Sequence, residues 1–148
     1  MRPGSDTAPF MVAILIIAHG KLGESLINCA SHVLGSRPQC LMQIGVGVRD
    51  DPQQILKQAR DLITQLDQGE GVLVMSDVFG ATPSNIACKL LVPGRVEGVS
   101  GASLPMLVRA LTYRNELLKV VVGKAISGGV EGVLQLPTEN IRDAATGS

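Results

Sequence analysis

The sequence predicts a single-domain α/β fold with a mostly parallel central sheet and helices on both faces. Short apolar runs rich in β-branched residues alternate with longer amphipathic segments, which is typical of strands covered on both faces and of the helices that cover them. The chain has 148 residues, the length of one domain. Hydrophobic residues make up 45% and charged residues 18%, so the chain can bury a sizeable core.

Five strands are predicted, each from a run of apolar residues. The first, residues 12–18 (VAILIIA), is continuous and β-branched, so we expect it to be buried on both faces. The other predicted strands cover residues 39–46, 71–75, 95–100 and 132–136. About four strands should lie parallel, because helical segments separate them, and residues 132–136 should add a C-terminal edge strand.

Five helices are predicted from apolar residues at helical spacing. They cover residues 22–34, 51–67, 82–91, 105–113 and 116–127. Asp51 is expected to cap the second helix and Thr82 the third, since a proline follows each of them. We expect Gly128 and Gly129 to end the fifth helix.

The two ends of the chain differ in composition from the domain between them, residues 11–137. Residues 1–10 are polar, rich in Pro and Gly, and lack the apolar core of a secretory signal. We interpret them as a disordered leader or the remnant of an expression tag, with Met11 a plausible start, and residues 138–148 as a polar tail. No apolar run approaches the roughly 20 residues of a membrane helix. These features predict a cytoplasmic protein.

Composition also argues against several classes of partner and cofactor. Thirteen basic residues balance thirteen acidic ones, which gives no support for a nucleic-acid partner. Cys29, Cys40 and Cys88 form no CxxC pair, so neither a zinc site nor a redox motif is indicated. We expect no metal and no cofactor, and we interpret the cysteines as buried free thiols because their neighbours are mostly apolar. His32, inside the first helix and off its apolar stripe, is expected to be structural or solvated.

Four segments follow the predicted strands, at residues 18–23, 47–52, 76–84 and 101–105, where parallel sheets place their sites. Two of them hold unusual chemistry, because His19 follows the first strand and Asp77 follows the third. If these strands are neighbours, Asp77 can accept a hydrogen bond from one ring nitrogen of His19. That bond fixes the tautomer and leaves the other nitrogen as a nucleophile.

The segment after Asp77 offers donors for an anion. The helix that begins at Thr82 provides free backbone N–H groups and the positive end of its dipole. Gly80 allows the backbone to approach closely, Ala81 follows it, and the hydroxyls of Thr82 and Ser84 could add hydrogen bonds. Phosphoryl transfer is mainly positioning and charge stabilisation, so the segment predicts a phosphate site beside His19.

Two other interpretations stay open at this point. His19 could simply cap a loop and Asp77 a turn, without any chemistry. A Ser–His–Asp hydrolase could use Ser100 or Ser84, but residues 98–102 (GVSGA) lack the final glycine of a nucleophile elbow. The run GKLG after His19 matches neither a P-loop nor a dinucleotide-binding motif.

Two sequence runs resemble the signatures of the mannose-family IIA domain of the phosphoenolpyruvate-dependent sugar phosphotransferase system. They are ILIIAHGKLGESL (residues 14–26) and GVLVMSDVFGATPSNIA (residues 71–87). A third run, GVSGASLPMLVRAL (residues 98–111), resembles that family's fourth strand and the turn after it. The resemblance spans roughly residues 11–136 in order and spacing.

The resemblance implies a role for each of these residues. His19 would accept phosphate from the carrier protein HPr and donate it to a IIB component, as a phosphotransferase in sugar transport. Asp77 would hydrogen-bond Nδ1 and leave Nε2 to take the phosphate, with Thr82 beside it and Phe79 as a lining or docking residue. The family also implies a homodimer, in which residues 132–136 add a strand to the partner's sheet.

Departures from the family pattern leave the destination of the phosphate open. Ala81 replaces a frequent second glycine, and no IIB domain follows in this sequence. We therefore expect a separate IIB protein, or else a stand-alone regulatory phosphoprotein in which the phosphorylation state of His19 controls binding to a target. A related branch is the phosphotransfer subunit of dihydroxyacetone kinase, but its second signature usually lacks the T-P-S-N run.

Overall fold

The fold is a four-stranded parallel sheet with helices on both faces, as the sequence predicts. The structure, a computed structural model, describes residues 10–138. The strands are β1 (Ala13–His19), β2 (Leu41–Val46), β3 (Val72–Ser76) and β4 (Val96–Val99). The helices are α1 (Leu22–Leu34), α2 (Pro52–Leu66), α3 (Thr82–Leu90), α4 (Leu104–Thr112) and α5 (Leu118–Glu131). Most of the predicted leader and tail lies outside the described residues.

The order of the strands places a switch point at the centre of the sheet. The order is β2-β1-β3-β4, with every pair parallel. The chain leaves β1 towards β2 on one side and comes back to β3 on the other, so the carboxyl ends of β1 and β3 flank the switch point. His19 is the last residue of β1, and Asp77 comes directly after β3.

The sheet divides the core into two layers, and β1 contributes side chains to both. Ile14 and Ile16 face a cluster with α1, α4 and α5, whereas Leu15 and Ile17 face a cluster with α2 and α3. Residues 13–18 of β1 are all buried, and burying one such aliphatic side chain contributes about 1.5–3 kcal/mol. The core therefore holds the end of β1, and with it His19, in a fixed place.

A buried arginine stabilises the end of the sheet that lies opposite His19. Arg114 is 5% exposed. Its guanidinium donates to the carbonyl oxygen of Val12 at 2.9 and 3.1 Å, to that of Gln39 at 2.6 Å and to that of Cys40 at 2.9 Å. All three carbonyls belong to residues that come just before β1 and β2, so one side chain satisfies the backbone where the two strands start.

The prediction that Gly128 and Gly129 end the last helix is wrong, because α5 continues to Glu131. A Cβ on Gly128 would lie 2.8 Å from Cβ of Arg109 and 3.0 Å from the carbonyl oxygen of Pro105. The missing side chain therefore serves the close packing of α5 against α4 and does not break the helix.

The predicted fifth strand is also wrong for this chain by itself. Residues 133–138 have no regular secondary structure, and the side chains of Val133 and Leu136 are 85% and 84% exposed. The apolar residues of this segment predict burial, but within the described residues no neighbouring strand lies beside it.

Two smaller predictions also need correction. Ala81, not Thr82, is the N-cap of α3, and Thr82 is its first helical residue. The three cysteines are not buried as predicted: Cys29 and Cys88 are exposed and Cys40 is partly buried. Apolar neighbours in the sequence do not determine which side of a helix faces the core. The other element boundaries agree to within about two residues, except at the end of α5.

Candidate functional site

The structure brings His19 and Asp77 together at the carboxyl edge of the sheet. Nδ1 of His19 lies 2.7 Å from Oδ2 of Asp77. The same oxygen accepts the backbone N–H of His19 at 3.0 Å. Because β1 and β3 are adjacent and parallel, with Ile17 paired to Ser76, the residues that follow this pair meet side by side.

Asp77 is held in its ionised form by these contacts. Burial of the carboxylate raises its pKa, but hydrogen bonds from the backbone and ring of His19 and from the backbone of Val78 outweigh that effect, so the pKa of Asp77 lies below its usual value. Oδ1 accepts the Val78 N–H at 3.0 Å. The side chain is 8% exposed, so the carboxylate is fixed and largely shielded from water.

An ionised carboxylate can only accept hydrogen bonds. The ring of His19 must therefore carry its proton on Nδ1, which donates to Asp77, and a neutral ring then has an unprotonated Nε2. The side chain of His19 is 55% exposed. The arrangement presents a nucleophilic nitrogen to solvent and to an incoming group.

The loop between β3 and α3 is held by Ser84. Gly80 has φ of +93°, and its N–H donates to Oγ of Ser84 at 2.8 Å. The same hydroxyl donates to the carbonyl oxygen of Ala81 at 3.0 Å. Ser84 is 3% exposed, so its hydroxyl serves the shape of the loop rather than facing the cleft. The amide of Gly80 is used in the same way.

His19 opens into a cleft of about 640 Å³ that also contains Thr82. Its lining comes from the turn after β1, the loop after β2 and the start of α3: His19, Gly20, Val46, Gly47, Val48, Asp50, Pro52 and Thr82. Pro52 and Thr82 are the first residues of α2 and α3, so the positive ends of two helix dipoles face this cleft. That field favours an anion.

The loop after β2 forms one wall of the cleft of His19. The sequence alone predicted no role for this loop. It is closed on itself, because Oδ2 of Asp50 accepts the N–H of Gly47 at 2.6 Å, and it leaves Val48 fully exposed. The available signal was its position, since it follows a parallel strand at the same edge as His19.

Three residues singled out from the sequence lie around a different cleft. Phe79, Ser84 and Ser100 line an apolar cleft of about 260 Å³ between α3 and β4. No serine lines the cleft of His19 within the described part of the chain, so the geometry does not favour the Ser–His–Asp alternative. His32 is exposed on α1, away from these clefts.

Among residues 10–138, none of the helices is both long enough and apolar enough to cross a membrane.

Comparisons with known proteins agree with the fold. The mannose/sorbose-specific IIA subunit of the phosphotransferase system from Enterococcus faecalis superposes with a TM-score of 0.77 at 16% identity, over 86% of this chain and 96% of that chain. The mannose-specific EIIAB component of Escherichia coli K12 is 28% identical over 137 residues, which are 90% of this chain and 42% of that protein. The chain therefore spans less than half the length of this relative.

A shorter similarity reaches a regulator. The transcriptional regulatory protein LevR of Bacillus subtilis is 34% identical over 68 residues, which are 45% of this chain and 7% of that protein.

The model of one protein family, described as the PTS system fructose IIA component, matches residues 13–122. That match covers well over half of the chain, which therefore belongs to this family of mannose- and fructose-type IIA components of the sugar phosphotransferase system.

Proposed function

We propose that the chain is a phosphohistidine carrier, which accepts a phosphoryl group from phospho-HPr on Nε2 of His19 and passes it to a IIB component. The observation that carries this proposal is the 2.7 Å contact between Nδ1 of His19 and Oδ2 of Asp77. It fixes the ring proton on Nδ1 and leaves Nε2 as the nucleophile at the mouth of the cleft.

The transfer needs no proton to leave the ring. Nε2 attacks phosphorus, the Nε2–P bond forms, and the bond between phosphorus and the donor histidine of HPr breaks, so that its electron pair returns to the donor ring. The ring of His19 keeps its Nδ1 proton and gains positive charge, which the Asp77 carboxylate stabilises at hydrogen-bond distance. Transfer to IIB is the same displacement, with a nucleophilic side chain of IIB as the attacking group and Nε2 of His19 as the leaving group.

The cleft would stabilise the phosphoryl oxygens. Thr82 lies in the cleft with His19, and no side chain caps the first turn of α3 among the described residues. The backbone N–H groups of Thr82 and Ser84 therefore remain available to an anion, whereas Pro83 has none. Ser84 supports the loop from behind, and Gly80 and Ala81 are the backbone that it holds. We assign direct contact to Thr82 and an indirect role to Ser84.

We also propose that the protein is a cytoplasmic homodimer. The exposed segment with Val133, Leu134 and Leu136 supports the dimer, because an exposed apolar segment can add to an edge strand of a second copy. In that arrangement the segment would gain the strand conformation that it lacks here.

A second candidate is a regulatory role, favoured by the similarity to LevR. Phosphorylation of His19 would then control binding to a target protein, and no phosphate would need to move on to IIB. Loss of label to IIB separates the two functions, since only the carrier discharges in that step.

The test is phosphoenolpyruvate-dependent labelling. Purified enzyme I, HPr and radiolabelled phosphoenolpyruvate should label the wild type and His32→Ala, and His19→Ala should take up no label. A chase with candidate IIB proteins should then discharge the wild type. Label that persists in His19→Ala contradicts the site, and a stable label with every IIB of a mannose-type system favours the regulatory role.

A further inference from the structure

The turn after His19 lies directly on strand β2 at Gly45. Gly20 has φ of +54°, and its N–H donates to the carbonyl oxygen of Val46 at 3.0 Å. A Cβ built on Gly45 would lie 2.1 Å from the carbonyl oxygen of Gly20 and 3.2 Å from its carbonyl carbon. The backbone of the turn therefore occupies the space that any side chain at position 45 would need.

The clash would be with backbone, which cannot rotate aside as the end of a flexible side chain can. Contacts between Cβ and other atoms essentially never fall below 3.0 Å. Relief of a 2.1 Å contact therefore requires β2 and the turn to separate by about 1 Å, a displacement of the size that can cost a catalytic site about 100-fold in rate. The residue next to the displaced turn is His19.

The chain also packs closely on β2 at the start of α1, three residues after Gly20. Gly23, in the first turn of α1, would place a Cβ 3.0 Å from Oε1 of Gln43 and 3.2 Å from Cγ2 of Ile16. Gln43 and Gly45 alternate with Ile44 along β2 and so point to the same face of the sheet. The turn and the start of α1 are thus pressed against one face of β2, and Gly45 is the closest point.

We propose that Gly45 is a positioning residue for His19, because it lets the His19–Gly20 turn rest on β2 while Asp77 holds the ring from the β3 side. His19 is then fixed between two strands, through Gly20 and Val46 on one side and Asp77 on the other. The inference rests on the proposed function only for its effect on phosphoryl transfer. Its effect on the ring of His19 can be measured without any phosphate.

Gly98→Ala is the matched control for Gly45→Ala. Gly98 lies in the other edge strand, β4, and its Cβ would meet Cδ2 of Leu91 at 3.0 Å. That atom ends a flexible side chain and can move, and it is not part of the His19 cleft. The two variants make the same chemical change in the same sheet, and only one of them presses on the turn.

The experiment is ¹⁵N NMR of the ring nitrogens in protein labelled at histidine, with circular dichroism and a thermal melt for each variant. In the wild type and Gly98→Ala, His19 should show the Nδ1–H tautomer at neutral pH. In Gly45→Ala, His19 should shift towards the Nε2–H tautomer of free imidazole, while the signals of His32 stay unchanged. Uptake of phosphate from phospho-HPr should fall at least about 10-fold in Gly45→Ala alone.

Each outcome bears on a different claim. Wild type that takes no phosphate contradicts the proposed function, but leaves the tautomer test of Gly45 intact. Gly45→Ala with the wild-type tautomer, or Gly98→Ala with the same loss, overturns the positioning role. If Gly45→Ala unfolds, trimethylamine N-oxide favours its compact state. A variant that does not fold even then also contradicts the proposal, which predicts a local shift at a sheet edge.

Discussion

One oxygen of Asp77 accepts two hydrogen bonds from His19, at 3.0 Å from its backbone nitrogen and at 2.7 Å from Nδ1. The first bond fixes where His19 leaves strand β1, and the second fixes the direction and tautomer of its ring. Because the two bonds share Oδ2, the place of the residue and the chemistry of its ring depend on the same carboxylate. Asp77 is therefore expected to matter for the reaction and for the conformation of the site.

Substitution of Asp77 by Asn tests the charge separately from the shape. The amide oxygen can still accept a hydrogen bond, but the negative charge that balances a phosphorylated ring is lost, and the amide NH₂ group favours the wrong tautomer. The rate of phosphorylation of Asp77→Asn should fall by about two to four orders of magnitude, measured by quenched-flow with phospho-HPr. Asp61→Asn, on the exposed face of α2, is the control and should keep the wild-type rate. Unchanged transfer in Asp77→Asn contradicts the role of the carboxylate.

The stability of the protein should depend on the ionisation of Asp77 in acid. Its pKa is lowered in the folded state, so its contribution to stability is present above the unfolded pKa of about 3.9 and is lost as the pH falls through the folded pKa. The urea midpoint of the wild type should therefore decrease more steeply below about pH 4 than that of Asp77→Asn. Parallel curves for the two proteins contradict this prediction.

Thr82 and Ser84 should give different defects when each is changed to alanine. Ser84→Ala removes the acceptor of the Gly80 N–H and the donor to Ala81, so the free energy of unfolding should fall by about 1–3 kcal/mol. Thr82→Ala removes a hydroxyl from the cleft and should slow phosphorylation with little loss of stability. Chemical denaturation and transfer rates measured on both variants check this. A loss of stability in Thr82→Ala together with slow phosphorylation in a stable Ser84→Ala would contradict the two assignments.

The exposed C-terminal segment should determine the oligomeric state. Leu134 is 67% exposed in the single chain and would be buried if the segment added to the sheet of a second copy. Leu134→Glu should shift sedimentation from dimer to monomer, because it places a charge in that contact. Val33→Glu, at an exposed position of α1, should remain dimeric. A monomeric wild type, or a Leu134→Glu protein that is still dimeric, argues against the proposed dimer.

The contact between His19 and Asp77 could be predicted from the sequence, because the apolar strand that comes before each residue is a local sequence pattern. Each residue follows an apolar strand, and neighbouring parallel strands end at the same edge. The role of Ser84 could not be predicted in the same way. The direction of its hydroxyl depends on the path of the 77–81 loop, and the sequence pattern of a helix start does not determine that path.

The errors at the C-terminal end have a similar origin. Glycine is a residue type that often ends helices, but Gly128 lies inside α5, where it packs closely against Arg109 and Pro105 of α4. The sequence around position 128 carries no sign of that contact. The exposure of Cys88 likewise depends on which face of α3 packs on the sheet. Contacts between distant elements, rather than local propensity, decide these features.

The most direct test of the central claim is the position of the phosphate on the ring. Wild-type protein labelled with ¹⁵N-histidine and phosphorylated through HPr should show phosphorus bonded to Nε2 of His19, with Nδ1 still protonated and bonded to Asp77, in ¹H–¹⁵N and ³¹P spectra. Phosphorus on Nδ1 of His19, or on any residue other than His19, would contradict the account.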